Sequence, residues 1–245
     1  MRPNSCEWLS DFSPFYSLHL SDNPLMAELS ETEAKTAQLI ARGLLDIGAF
    51  QLRPHQPFTW SSGWKSPVYC DNRMTLAYPA LRNVICEGFV HQIEQAGWEP
   101  EVIAAVATGA IPHGMLVADR LNLPFVYVRP KAKEHGRGNQ VEGDLMFDQP
   151  VVVIEDLVST GGSSIKAVNA LREFPSEVLG MVSIFSYGFP QAAEALAEAR
   201  LTSRFLCPFS QLLEEAVKQN EIQAADLALI ERWQADPANY EPEQA

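Results

Sequence analysis

Cysteine is scarce in this chain: Cys6, Cys70, Cys86 and Cys207 are the only four in 245 residues, and no two stand in a C-x-x-C spacing. Structural zinc needs clustered thiolates, and a disulfide framework belongs to small secreted domains, so neither is expected to organise this fold. Long apolar runs are absent as well; none reaches the roughly 18–20 residues of a membrane span. The start, Met1-Arg-Pro-Asn-Ser-Cys-Glu-Trp8, has no basic segment leading into an apolar core, which argues against a secretory leader. A reduced, cytoplasmic protein without membrane contact is the expectation. Positive charge is thin too: 18 Lys and Arg stand against 31 Asp and Glu, a formal net charge of −13. Such a surface does not attract nucleic acid. Internal repeats and low-complexity tracts are also missing.

What remains is ordinary globular material, 47% hydrophobic and 20% charged, enough for one α/β domain with appendages. Its most informative stretch is Val151-Val-Val-Ile-Glu-Asp-Leu-Val-Ser-Thr-Gly-Gly-Ser-Ser164. Val151 to Ile154 reads as a buried parallel strand, with Glu155 and Asp156 where that strand ends. The turn Ser159-Thr160-Gly161-Gly162-Ser163 follows, and a helical pattern opens with Ile165, Val168 and Leu171. Backbone N–H groups at a helix start, with the helix dipole behind them, cradle anions. Two carboxylates beside a phosphate would repel it, so they should face sugar hydroxyls or a divalent cation. An ordinary P-loop would need a lysine after the glycines, and here Ser163 follows Gly162.

The rest of the chain supplies the frame. Residues 1–28 show no period and read as an extension, expected to be disordered. Ser30 with Glu33 fits a capping box before a helical stripe of Ala37, Ile40, Ala41, Leu44 and Leu45. Phe58 to Trp60 and Val68 to Cys70 read as short strands, and Pro79 to Ala96 as a helix. Strands then alternate with helices: Val102 to Ala107, Phe125 to Val128, Val151 to Ile154, Val178 to Phe185 and Arg204 to Cys207, before two C-terminal helices. Such alternation predicts a central parallel sheet flanked by helices, with ligands beyond the carboxyl ends of its strands. Four of the 18 Lys and Arg, namely Arg129, Lys131, Lys133 and Arg137, fall within nine residues of one loop, with His135 among them. A basic, glycine-hinged loop in an acidic chain suits closure over a pyrophosphate.

The acid-pair stretch resembles the phosphoribosyl pyrophosphate (PRPP) signature of the type I phosphoribosyltransferases. Arg129-Pro-Lys-Ala-Lys-Glu-His-Gly136 and Phe58-Thr-Trp-Ser-Ser-Gly-Trp-Lys-Ser-Pro-Val-Tyr69 narrow the resemblance to the orotate phosphoribosyltransferases, over about residues 30–235. The resemblance implies the type I fold with a small N-terminal hood. The hood would span about 29–75 and the core about 76–210, with C-terminal helices to the end. It implies that Glu155 and Asp156 hold the ribose hydroxyls while Leu157, Val158, Ser159, Thr160, Gly161, Gly162 and Ser163 form the PRPP cradle. Thr108, Gly109 and Ala110 would be the pyrophosphate loop, with Ala107–Thr108 as its cis peptide. Arg129, Lys131, Lys133 and His135 would reach PRPP from the neighbouring subunit of a homodimer. Lys133, His135 and Asp156 would be the catalytic groups. Tyr69, Arg73, Gly63 and Ser159 would hold orotate. Mg²⁺ would bind through PRPP, near Glu155 and Asp156, rather than in an all-protein cage.

The chain departs from the family pattern in places. Pro130 stands where some members have a lysine, with Lys131 next; Ser61 and the segment Ser186 to Pro190 likewise lack basic residues found in some members. Two rival readings stay open at this point, a purine transferase of the same fold and a PRPP-sensing regulator without chemistry. The hood segment argues against the first, and the acidic surface against the second.

Overall fold

The computed structural model describes residues 30–60, 62–131, 140–174 and 176–241, and the expected N-terminal extension lies outside these. Helix α1 (Glu31–Asp46) begins where its cap predicts. The Ser30 hydroxyl accepts from the Glu33 N–H at 3.2 Å, and the Glu33 carboxylate accepts from the Ser30 N–H at 2.8 Å. Its buried stripe is the predicted one, Ala37, Ile40, Ala41, Leu44 and Leu45.

Four short strands follow: β1 (Phe50–Leu52), β2 (Phe58–Thr59), β3 (Lys65–Ser66) and β4 (Val68–Cys70). Antiparallel pairing joins β1 to β4 and β2 to β3. Only two strands are expected here from the sequence. At two or three residues, β1 and β3 are too short to show an alternation of their own. A 3-10 turn, Asn72–Ala77, then leads into α2 (Pro79–Gln95).

The alternating part comprises β5 (Val102–Val106), α3 (Ile111–Leu121), β6 (Phe125–Val128), β7 (Val141–Glu142), β8 (Pro150–Val158), α4 (Gly162–Arg172), β9 (Glu177–Ser186), α5 (Pro190–Glu198) and β10 (Ser203–Pro208). Helices α6 (Phe209–Lys218) and α7 (Leu227–Ala235) close the described chain. The sheet runs β10-β9-β8-β5-β6-β7, with only β7 antiparallel to its neighbour. This is the central, mostly parallel sheet flanked by helices expected from the sequence. Val102 to Ala105 and Val151 to Ile154 are wholly buried, as strands covered on both faces must be. Strand β7 is a further departure from expectation, since it lies in a stretch with no readable period.

The strand order fixes where a ligand can sit. From β5 the chain steps one way to β6, and from β8 it steps the other way through β9 to β10. Right-handed crossovers therefore put α3 on one face and α4 and α5 on the other. The helices leave in opposite directions between β5 and β8 and open a crevice there.

Strand β8 corrects the sequence reading at one point. The strand does not stop at Ile154 with the acids beyond it; β9 goes on pairing, with Glu155 opposite Ser183, Leu157 opposite Phe185 and Val158 opposite Ser186. Glu155 and Asp156 therefore lie inside a strand, and the strand's period of two sends their side chains to opposite faces.

An aromatic cluster ties the small strands to the C-terminal helices. The Trp60 ring centroid is 5.1 Å from Tyr187 and 5.8 Å from Trp233, and Phe50 stands 5.6 Å from Phe185. Trp233 is fully buried. Replacing Trp233 by alanine removes a large buried ring at the centre of this cluster and should cost about 3–5 kcal/mol of unfolding free energy. Urea unfolding of the variant measures this; a loss under about 1 kcal/mol, well below that range, would mean that the cluster is not a source of stability.

Candidate active site

Three segments converge on the crevice between β5 and β8. The first is the turn after β5. Its Ala107–Thr108 peptide is cis, as the resemblance leads one to expect. Thr108 is exposed and Ala110 buried, with Gly109 between them. A Cβ added to Gly109 would fall on the Asp156 carboxylate, so only glycine lets this turn lie against the acid.

The second segment is the end of β8 and the turn beyond it. Asp156 is half-buried and faces the crevice side, whereas Glu155 is 3% exposed and turned into the body of the fold. Both Glu155 oxygens are engaged by the chain itself. Oε2 accepts from the Ser164 hydroxyl at 2.7 Å and Oε1 from the Asp156 N–H at 3.0 Å. Burial first, and then the neighbouring Asp156 charge, push the Glu155 carboxyl well above the usual range. The two acids are therefore not equivalent, although the sequence reading pairs them. Val158 is buried and Leu157 half-buried. Thr160, Gly162 and Ser163 are exposed at the start of α4, where Gly161 caps the helix at φ 81°. The first N–H groups of that helix have no partner within it and point outward.

The third segment comes from the small strands. Tyr69 is partly exposed, with its ring 5.6 Å from Phe58. Gly63 turns the β2–β3 hairpin at φ 89°. Arg73, which the resemblance assigns to orotate, is paired within the chain. Its Nε and a terminal nitrogen donate to the two Asp71 carboxylate oxygens at 2.6 and 2.8 Å. That fork matches its charge locally and lowers the Asp71 carboxyl.

Arg129 donates to Glu142 of β7 at 3.3 Å and its N–H bonds Gln140 at 2.9 Å, so the strand pair β6–β7 holds it at the root of the basic loop. Lys131 is exposed. Lys133 and His135 lie outside the described residues. No group of three or more His, Cys, Asp or Glu that could cage a metal occurs among the described residues. Asp156 alone of the acid pair faces outward, which fits an Mg²⁺ ion carried mainly by substrate oxygens and water.

Sequence reasoning misses a buried set of groups beside Asp156. Asn72, 2% exposed, donates from Nδ2 to the Asp156 backbone oxygen at 2.6 Å. The Thr75 hydroxyl donates to the Asn72 backbone oxygen at 2.6 Å and lies 3.2 Å from His113 Nε2. Since Thr75 has spent its proton on Asn72, Nε2 must be the protonated nitrogen of His113. His113 Nδ1 then carries a lone pair, and it has no partner among the described residues. Burial, with help from the Arg82 charge, pulls His113 down to about 4. No signal in the chain flags these contacts, because the partners are far apart in sequence. A cavity of about 610 Å³ lies beside α6 and α7, lined by Phe209, Leu213 and Leu227 among others, and none of the acid-pair or pyrophosphate-loop residues lines it.

Comparison with known proteins agrees with this geometry. The sequence profile of the phosphoribosyl transferase domain matches residues 78–197. An orotate phosphoribosyltransferase of Phocaeicola vulgatus is 50% identical over 204 residues, covering 83% of this chain and 96% of the relative. One from Enterococcus faecalis is 48% identical over 206 residues, covering 84% and 98%. Among solved structures, orotate phosphoribosyltransferase from Aeropyrum pernix superposes with a TM-score of 0.65 at 31% identity, over 72% of this chain and 97% of that one. UMP synthase of Leishmania donovani superposes with a TM-score of 0.68 at 25% identity; 81% of this chain is covered, but only 42% of the synthase.

The neutral His113 has a consequence for stability. An ordinary histidine titrates at 6.5 and this one at about 4, so between these values the unfolded chain binds a proton that the folded chain refuses. His113's contribution is complete above pH 6.5 and is lost as pH falls towards 4. Chemical unfolding at pH 5 and pH 7 should therefore show a smaller acid loss for His113→Gln than for the wild type. Equal losses would place the acid sensitivity elsewhere.

Proposed function

The chain belongs to the orotate phosphoribosyltransferases, and on that footing we propose how its residues divide the work. The reaction moves the 5-phosphoribosyl group of PRPP to orotate, giving orotidine 5-monophosphate and pyrophosphate, a step of pyrimidine biosynthesis. A bond forms between the orotate ring nitrogen and C1 of the ribose as the bond from C1 to the pyrophosphate oxygen breaks. There is little covalent chemistry for the protein to do. It positions the partners and places positive charge where the leaving group gains negative charge.

The observation that carries this reading is the contact of Asp156 with Gly109 at the point where the strand order reverses. It supports reading Asp156 as the acid that meets the ribose, beside a small-residue loop that suits pyrophosphate. Asp156 takes the ribose hydroxyls and stabilises the cationic sugar. Glu155, 3% exposed and bonded to Ser164, takes the lesser part in holding the ribose. Backbone N–H groups of Thr108 to Ala110 face the leaving pyrophosphate, and the turn from Ser159 to Ser163 cradles the 5-phosphate. Mg²⁺, held by PRPP oxygens with Asp156 nearby, would offset diphosphate charge. Tyr69 and the backbone around Gly63 cover the flat pyrimidine. The reading takes the protein to be cytoplasmic.

Arg129, Lys131, Lys133 and His135 close on the partner subunit's PRPP in a homodimer. Lys133 carries the largest share, because its charge is needed most as pyrophosphate departs. Lys133→Ala should lower turnover by about 10²–10³-fold, the scale of one lost transition-state contact, with PRPP binding largely kept. Mixing inactive Lys133→Ala and Asp156→Ala chains should restore one good site per heterodimer. Mixtures that stay inactive after verified subunit exchange would show that the loop serves its own chain.

Orotate differs from uracil by one carboxylate. A site built to pair that group leaves its donors buried and unpaired when uracil binds. Orotate should therefore be preferred over uracil by at least about a thousandfold in kcat/KM. Ser159→Ala should erode that preference more than Arg73→Ala, since Asp71 already matches the Arg73 charge. Comparable use of uracil by the wild type would overturn the base assignment. A larger effect at Arg73 would show that it leaves Asp71 for the substrate.

A further inference from the structure

The geometry points to Asn72 as a positioning residue for the transfer, one that acts through Asp156 without touching substrate; this rests on the reading of Asp156 given above. The need for such a residue follows from the sheet. Strands β5 and β8 stay in register only as far as Ala105 opposite Ile154, and β5 ends at Val106. Residues two apart on a strand present their peptide groups to the same side. Asp156, two residues past Ile154, thus offers its carbonyl where a neighbouring strand has just run out. A buried carbonyl left without a donor costs about 1–3 kcal/mol and leaves its residue free to shift. The Asn72 amide fills that place, 2.6 Å from the Asp156 oxygen.

Asn72 is itself over-determined. It is 2% exposed, its Oδ1 accepts from the Cys70 thiol at 3.3 Å, and its own carbonyl accepts from Thr75 at 2.6 Å. Thr75 in turn meets His113, which lies in the first turn of α3, directly after the Thr108–Ala110 loop. One buried relay therefore touches all three segments of the site: the hood through Cys70, the ribose acid through its carbonyl, and the pyrophosphate loop through α3. Each bond is unremarkable alone. Together they set the Asp156 carboxylate against Gly109 before substrate arrives, and catalysis by orientation is sensitive to displacements of about 1 Å, which can cost a hundredfold.

Asn72→Ala should lower kcat/KM for PRPP by about ten- to a hundredfold, the scale of a small misplacement. A structural defect alone could do the same, so the decisive readout is a double-mutant cycle. Asp156→Asn keeps the backbone carbonyl that Asn72 binds but removes the charge being positioned. In that background the Asn72→Ala penalty should shrink to about threefold or less, since residues acting as one unit are not additive. Should Asn72→Ala fail to fold, Thr75→Val deletes only the hydroxyl that anchors Asn72 and should show the same collapse with a smaller starting loss. Penalties that multiply in the double variants would overturn the inference while leaving the role of Asp156 intact. An Asp156→Asn enzyme with unchanged PRPP kinetics would overturn the reading of Asp156, and this inference with it.

Discussion

The constraint on which the site depends is a mismatch of strand lengths. Strand β5 ends at Val106 while its neighbour β8 continues to Val158. The shorter strand turns away through a cis peptide and a glycine, and the longer one keeps its outer partner β9. A gap opens between them at the carboxyl end of the sheet, where backbone groups have lost one neighbour. What fills the gap is chosen by chemistry: a residue without a side chain at Gly109, a carboxylate at Asp156, and an amide at Asn72. Extending β5 by two residues would close the crevice and complete the ladder. The unfinished sheet thus makes the crevice.

The same gap explains how a chain of net charge −13 can hold a polyanion. In the proposed reading the cradle adds backbone donors to the side-chain cations of the basic loop. It uses N–H groups at the start of α4 and in the turn after β5, whose partial charges are fixed by the fold. The acids nearby are kept from opposing it. Glu155 lies buried against Ser164, where burial favours its protonated form. The Asp71 charge is matched by Arg73. Among these groups Asp156 is the acid left facing the crevice, where a sugar hydroxyl or a metal-bound oxygen is the suitable neighbour.

Sequence reading reached the sheet, the helices and the converging segments because each is written in local pattern. Buried parallel strands are apolar runs, capped helices announce themselves at Ser30 and Glu33, and the anion turn is a string of small residues. The parts it missed are not local. Asn72 meets Asp156 across 84 positions, and Thr75 meets His113 across 38. No period or composition encodes such a pair. The Asp71–Arg73 fork is close in sequence, yet its geometry depends on the 3-10 turn that follows, which also leaves no period. The inequivalence of Glu155 and Asp156 was legible in principle. Adjacent residues on a strand face opposite ways, and only the assumption that β8 ended at Ile154 concealed it.

The aromatic cluster shows that the small N-terminal strands are held from behind. Tyr187 follows β9 and is 3% exposed. Its ring stacks on Phe189 at 5.4 Å and meets Trp60 and Trp233. Helix α7 therefore reaches the small strands through Trp233 against Trp60, whose Nε1 donates to the Val68 carbonyl of β4 at 3.2 Å. Gln234 adds a bond of 2.7 Å to the Tyr187 carbonyl. Side chains with few rotatable bonds lose little entropy on packing and resist displacement. A hood made of strands two and three residues long could not hold its shape alone. Its rigidity is borrowed from the C-terminal helices, so the placing of the small strands depends on packing against α6 and α7 as much as on their own pairing.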